Sequence, residues 1–451
     1  MMRSCGNFGP KECHQGALQA SGKGVSSGMG PRHSGRRSAF EDRFSEADEP
    51  VSGSRKVAPV QGAGKGVRPR SGRDTVSYET PAGGTPGGAA PSSDRRPQGD
   101  RVRRDSFTAD HEDRRLLLTT PFDERLRAGA RNVITHGLGL SAGDDLVVVT
   151  ERATEAIAAA LVTEAADCGL RVLAFRVDAT LCNDEGLASR LLATVARAGA
   201  SLLVSSVDLP ASFRRSMIDA GGSRRHGHMV GVTEEMMRQS VRADFNAVHE
   251  LGERLRKRLT APCRLEVRGA PGTHLEIGCG RQLHWHNQSG VLREPGWTNF
   301  PGGEIFTSPA SVEGTLVPDG GVWLPDGTCI GRTGKLRLHF AASRLSHAEG
   351  PEAELLMDAL RGVTNARRVG QVAFGTNISV LTPIGALLQD LKMPGLHLTL
   401  GDSCAALTGA DFGCTQEIPL LMRRPDVRIE GEPLLMRGRF ARDLLTGSTF
   451  A

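Results

Sequence analysis

The stretch DDLVVVTERATEAIAAALVTEAADCGLRVLAFRVD, residues 144–178, spells out one strand–helix–strand unit. Its apolar run from Leu146 to Val149 is short and β-branched, as a buried strand requires. The Ala-rich segment 153–169 reads as a helix closed by Gly169, the residue type that most readily takes the left-handed turn at a helix end. LRVLAFRVD is the next strand. The pattern then repeats, with EGLASRLLATVARAG (185–199) as a helix and ASLLVSSVD (200–208) as a third strand. Strands alternating with helices at this spacing predict a parallel sheet with helices on both faces.

On the N-terminal side, ERLRAGARNVITHGLG (124–139) reads as an opening helix ending in glycine. Residues 1–114 differ in kind. They are dense in Gly, Ser, Pro and Arg, with no sustained apolar period, and so read as a disordered tail. The tail explains much of the net charge of +5, and is read as solvated linker rather than a nucleic-acid arm. Two motif matches inside it, GVSSG (24–28) and GAGKG (62–66), lack the strand and spacing that a nucleophile elbow or a phosphate loop needs.

On the C-terminal side, TEEMMRQSVRADFNAVHELGERLRKRL (233–259) reads as one long helix. Thr233 is its N-cap, Glu234 and Glu235 lie at the positive dipole end, and basic residues lie at the other. From Cys263 the pattern alternates between short strands and Gly/Pro turns, in CRLEVRG, GTHLEIG, RQLHWHN, GKLRLHFAAS and PDVRIEGEPLLMRG, as an antiparallel sheet would. One amphipathic helix, PEAELLMDALRGV, interrupts it. The domain reading is therefore a tail (1–114), an α/β domain (115–260) and a mostly antiparallel β-rich domain (261–451). His226 and His228 read as solvated loop residues. His284 and His286 share one face of a strand and are more simply half-buried strand histidines than a metal grip.

No run of about 18 apolar residues exists, so no membrane span is expected, and the first residues show no apolar leader. The nine cysteines form no CxxC pair, which fits free thiols in a reducing cytoplasm.

The block WTNFPGGEIFTSP (297–309) places Glu304 on a tightly turned backbone before a strand. It closely resembles the N-F/L-P-x-G-E-x-F-x-A/S-P signature of the thermophilic aminopeptidase T family of metallopeptidases (peptidase family M29). GQVAFGTN (370–377) is similar to that family's G-E-x-x-x-G-T-N segment, and GLHLTLG (395–401) to its x-H-x-A-L/F-G segment. The resemblance covers about residues 120–440.

It implies a peptidase fold in which two divalent ions are held by two Glu, two His and an Asp, with a Tyr assisting. Two dications need several anionic oxygens. Carried over position by position, Glu304 and His397 keep the first glutamate and the first histidine. Gln371 stands for the second glutamate, Cys404 for the tyrosine, and Glu417-Ile418-Pro419 for the H-x-D segment. The only tyrosine in the chain, Tyr78, lies in the tail. The expected site is thus a reduced, single-metal one, with Glu304, His397 and Glu417 as ligands and Gln371 and Cys404 in catalytic positions.

The resemblance implies zinc, cobalt or manganese, a peptide or small-amide substrate, and a homodimer. Two alternatives stay open, a metal-free binding or assembly protein and a non-haem iron dioxygenase of related fold. The dioxygenase reading is weakened by the missing H-x-D pair.

Overall fold

The computed structural model describes residues 112–269 and 272–445 of the 451; the tail reading up to residue 111, with its two motif matches and Tyr78, lies outside them, while residues 112–114, read as tail, belong to a helix over 112–119. The architecture is a parallel sheet flanked by helices, followed by two packed antiparallel sheets. The parallel sheet runs in the order Arg171–Arg176, Asp145–Thr150, Ala200–Ser205, Arg225–Val230, Gly296–Asn299. Its central strand Ala200–Ser205 is buried at every position, because helices cover both faces. On one face Ile157, Leu161 and Ala165 of helix Glu155–Asp167 pack with Leu126 and Ile134. On the other, Leu191 and Val195 of Glu185–Arg197 meet Phe213 and Met217 of Ala211–Gly221.

Two strands of this sheet are not evident in the sequence. RHGHMV (225–230) reads as polar, yet it is a strand, and His226 and His228 are buried in it rather than solvated. Ser201 Oγ lies 2.9 Å from His226 Nδ1, and the His228 ring meets Trp297 edge-on at 6.2 Å. A histidine can replace an aliphatic residue in a strand when a partner on the neighbouring strand satisfies it. The fifth strand, Gly296–Asn299, comes from beyond residue 261 and ties the two halves of the chain together.

The expected long helix is two helices, Glu234–Arg238 and Phe245–Arg258. The backbone between them is captured by tertiary hydrogen bonds. Asn132 Nδ2 donates to the carbonyls of Val241 (2.7 Å) and Ala243, and Asn377 Nδ2 donates to the Ser240 carbonyl (2.9 Å). Asp244 then caps the second helix, accepting from the Asn246 and Ala247 amides. Buried polar partners outweigh a helix propensity of a few tenths of a kcal/mol per residue. The second helix joins the two cores, with Phe245 and Val248 in the first and Leu251 and Leu255 in the second.

The second core lies between an eight-stranded and a seven-stranded antiparallel sheet. The seven-stranded sheet runs Cys329–Ile330, Gly321–Trp323, Glu417–Met422, Gly395–Gly401, Val369–Gly375, Glu304–Thr307, His286–Gln288. Ile305, Val372, Phe374, Leu396, Leu398, Leu400, Ile418 and Leu420 point into the core. With a side-chain period of two, the residues between them must face the other way, toward the parallel-sheet half. No described helix is long and apolar enough to cross a membrane.

Burial lowers the pKa of His226 to about 3 and holds His228 well below its ordinary value, the latter helped by the charges of His226 and Arg214. Both are neutral in the fold but take a proton near pH 6.5 once unfolded. Their contribution is therefore intact above about pH 6.5 and falls below it, by about 1.4 kcal/mol per pH unit for each histidine. Urea midpoints measured between pH 7.5 and 5 should drop with this sign, and His228→Gln should remove one histidine's share of the slope.

Candidate functional site

The outward face of the seven-stranded sheet forms the floor of a cavity of about 340 Å³. Cross-strand register sets the grid. Gln288, Glu304 and Gly375 lie in one row, and His286, Phe306, Ala373 and His397 in the next. Gln371, Thr399 and Pro419 form a third row, and Gly401 faces Glu417 beyond it. Val230, Met236, Trp297 and Leu388 contribute to the apolar walls. All five residues singled out from the sequence, Glu304, Gln371, His397, Cys404 and Glu417, line this cavity.

The signature blocks build the end of the cavity that holds Glu304. Gly303 (φ +126°) adopts a conformation open to glycine, and its carbonyl accepts from the Thr376 amide at 2.8 Å. Asn377 Nδ2 donates to the Gly302 carbonyl at 3.2 Å. At Gly375 a Cβ would stand 1.9 Å from the Met393 carbonyl oxygen, so only glycine lets the segment 391–393 lie across the sheet. That segment carries Lys392, whose ammonium lies 2.8 Å from Glu304 Oε1 with only 4% of its side chain exposed. Nearby polar contacts pin the segment. Asp390, its pKa raised by burial, accepts from the Ile384 and Gly385 amides, and Gln389 Oε1 accepts from Ser240 Oγ at 2.7 Å.

His397 is buried, with its ring beside the Leu391 and Met393 backbone. Burial lowers its pKa to about 4, with Lys392 adding to the fall, while Glu304 and the Leu391 and Met393 backbone act the other way. It is therefore neutral at pH 7. His286 is likewise held below its ordinary value by burial, with Glu304 opposing. His286 alone of its pair lies in a strand, and His284 is exposed outside it.

A second group forms around Cys404. Among the described residues, Asp402, Cys404 and Glu417 are the one set of three whose metal-ligating atoms all lie within 4.8 Å of one another. Asp402 is buried, and its carboxylate accepts from the Cys404 amide (3.2 Å) and the Cys414 amide (3.1 Å). Cys404 takes a left-handed conformation (φ +49°), which costs a non-glycine residue about 1–3 kcal/mol and turns its thiol toward the cavity floor beside Phe306 and Ala373. Gln371 Nε2 donates to the Asp402 carbonyl at 3.0 Å and to Cys404 Sγ at 3.4 Å.

The ligand set Glu304, His397 and Glu417 drawn from the resemblance is therefore not the one that the fold gathers. Glu304 and His397 stand outside the three-residue group, and Glu304 faces an ammonium instead. Pro419 shares the face of Glu417 but carries no donor. Gln371 uses its amide N–H toward sulfur, which a glutamate in its place has no proton to do. Sequence reading missed Asp402 and Lys392, since each is an ordinary charged residue beside a strand, and only the folded backbone brings Lys392 to the cavity and Asp402 to Glu417.

No family model matches the chain, and no curated protein matches it. Two solved structures share its fold. The 2,5-dihydroxypyridine dioxygenase from Pseudomonas putida KT2440 superposes with a TM-score of 0.53 at 16% identity, over 71% of this chain and 98% of that one. Wild-type AmpT from Thermus thermophilus superposes with a TM-score of 0.52 at 19% identity, over 71% and 100%. The link to aminopeptidase T thus holds at the level of the fold.

Gly375→Ala should force the 391–393 segment off the sheet. The expected loss is about 1–3 kcal/mol in chemical denaturation, as for an overpacked core. An unchanged midpoint would show that the segment has room to spare.

Proposed function

We propose that this protein is a metal-dependent hydrolase of small amides, or of peptide amino ends, with a single dication held by Asp402, Cys404 and Glu417. The observation that carries this reading is that two carboxylates and a thiol come together at a cavity lined by Cys404 and Glu417, in a fold shared with an aminopeptidase. The donor set fits a dication, since carboxylate oxygen and thiolate sulfur together suit zinc, with cobalt as a close substitute. The backbone amides that reach Asp402 leave lone pairs on both of its oxygens, so they do not block coordination.

A bound dication would supply Lewis-acid polarisation and a more acidic water. The remaining work belongs to the chain. The Gln371 N–H orients the Cys404 sulfur, the Asp402 carboxylate is aimed by two backbone amides, and the Leu and Trp walls exclude bulk water from the amide bond.

A second reading, a metal-free binding protein, is favoured by one specific observation, the Lys392 ammonium beside Glu304, which supplies positive charge without an ion. The dioxygenase neighbour keeps iron chemistry as a third outcome, detectable as oxygen uptake on adding Fe(II).

Metal stripping followed by incubation with Zn²⁺ or Co²⁺ separates these readings. The hydrolase reading expects about one equivalent of metal, a thiolate-to-cobalt charge-transfer band, and loss of both in Cys404→Ser and Asp402→Asn. Glu304→Gln and His397→Ala should retain the metal. Less than about 0.2 equivalents in the wild-type protein would overturn the assignment.

A further inference from the structure

The Glu304 end of the cavity holds a second arrangement that the metal reading leaves unused. Lys392, which is buried, and Glu304, which is partly buried, form an ion pair at 2.8 Å; both line the cavity, and so does the His397 ring. An ammonium has three N–H donors, and Glu304 occupies one. A carboxylate has spare lone pairs, and a neutral imidazole offers one donor and one acceptor. The end wall is thus rich in both donors and acceptors, while the pair itself sums to zero charge.

The rest of the cavity constrains what enters. Trp297, Trp323, Leu292 and Leu324 line it, so it suits an apolar body. A buried group that brings its own charge to a wall already balanced would be desolvated with no counter-charge to meet it. A neutral group that both donates and accepts loses nothing by the transfer, because it can bridge Lys392, Glu304 and His397.

We infer that Lys392, Glu304 and His397 form a recognition subsite for a neutral amide on an apolar ligand, and that they select against a free amine or a free carboxylate. This builds on the small-amide reading of the cavity but does not depend on a metal. It differs from the expected recognition of a charged peptide amino end.

The test uses three probes on one skeleton, N-acetyl-leucinamide (neutral), leucinamide (cationic) and N-acetyl-leucine (anionic). Binding to the full-length protein is measured by calorimetry with EDTA present, at about pH 6.5, where the amine is charged. A failure here is thereby separable from a failure of the metal reading. Wild type should bind the neutral probe roughly tenfold tighter than either charged one.

The two substitutions that unbalance the pair should then shift preference in opposite directions. Lys392→Met leaves a lone carboxylate and should favour leucinamide, whereas Glu304→Gln leaves a lone ammonium and should favour N-acetyl-leucine. His397→Phe should weaken the neutral probe without changing the order of preference. The inference is overturned if wild type prefers a charged probe or binds none, or if both charge variants keep the wild-type order. A variant that does not fold leaves the wild-type ranking as the deciding result.

Discussion

The two faces of the seven-stranded sheet do opposite jobs, and the strand period of two forces them to. Ile305, Val372, Leu398 and Leu420 are buried in the sandwich core, so Glu304, Gln371, His397 and Glu417 have nowhere to point but the cavity. A slip of one residue in any of these strands would exchange the two sets. The core therefore fixes the site. Packing worth about 1.5–3 kcal/mol for each buried aliphatic side chain holds polar groups in a partly dry cavity that they would not choose for themselves.

Against that floor the segment 376–393 contributes Ala386, Leu387, Leu388, Leu391 and Lys392 to the cavity lining. It is held by polar side chains with well-placed partners, since Asn377, Gln389 and Asp390 each bond to backbone or to a neighbouring side chain. Gly375 supplies the clearance it needs. Lys392 is the consequence, an ammonium placed on a carboxylate at the spot where the resemblance to metallopeptidases implies a metal ligand. An ion pair thus stands at one end of the cavity, and the Cys404 thiol and Glu417 carboxylate line it too, close to Asp402.

Cys404 sits at the junction of the two ideas. Its left-handed backbone is a local strain that the surroundings sustain, through the Asp402 carboxylate on its amide and Gln371 on its sulfur. The thiol is thus held in a defined place.

Sequence alone was enough for the fold class. The residue types of 144–208 and the alternation after Cys263 depend on local backbone geometry and on which face meets water, and those periods survive in any context. It was also enough to bring Glu304, Gln371, His397, Cys404 and Glu417 to notice, because they sit in short blocks with recognisable neighbours. Tertiary structure decided the rest. It broke the helix at residues 239–244 through Asn132 and Asn377, which lie more than 100 positions away in opposite directions. It buried His226 against a serine on the adjacent strand, and His228 against His226 and Trp297. It also recruited Asp402 and Lys392, whose significance is a matter of distance to Cys404, Glu417 and Glu304 across strands and loops. Those distances are set by chain closure and packing, and no local pattern of residues encodes them.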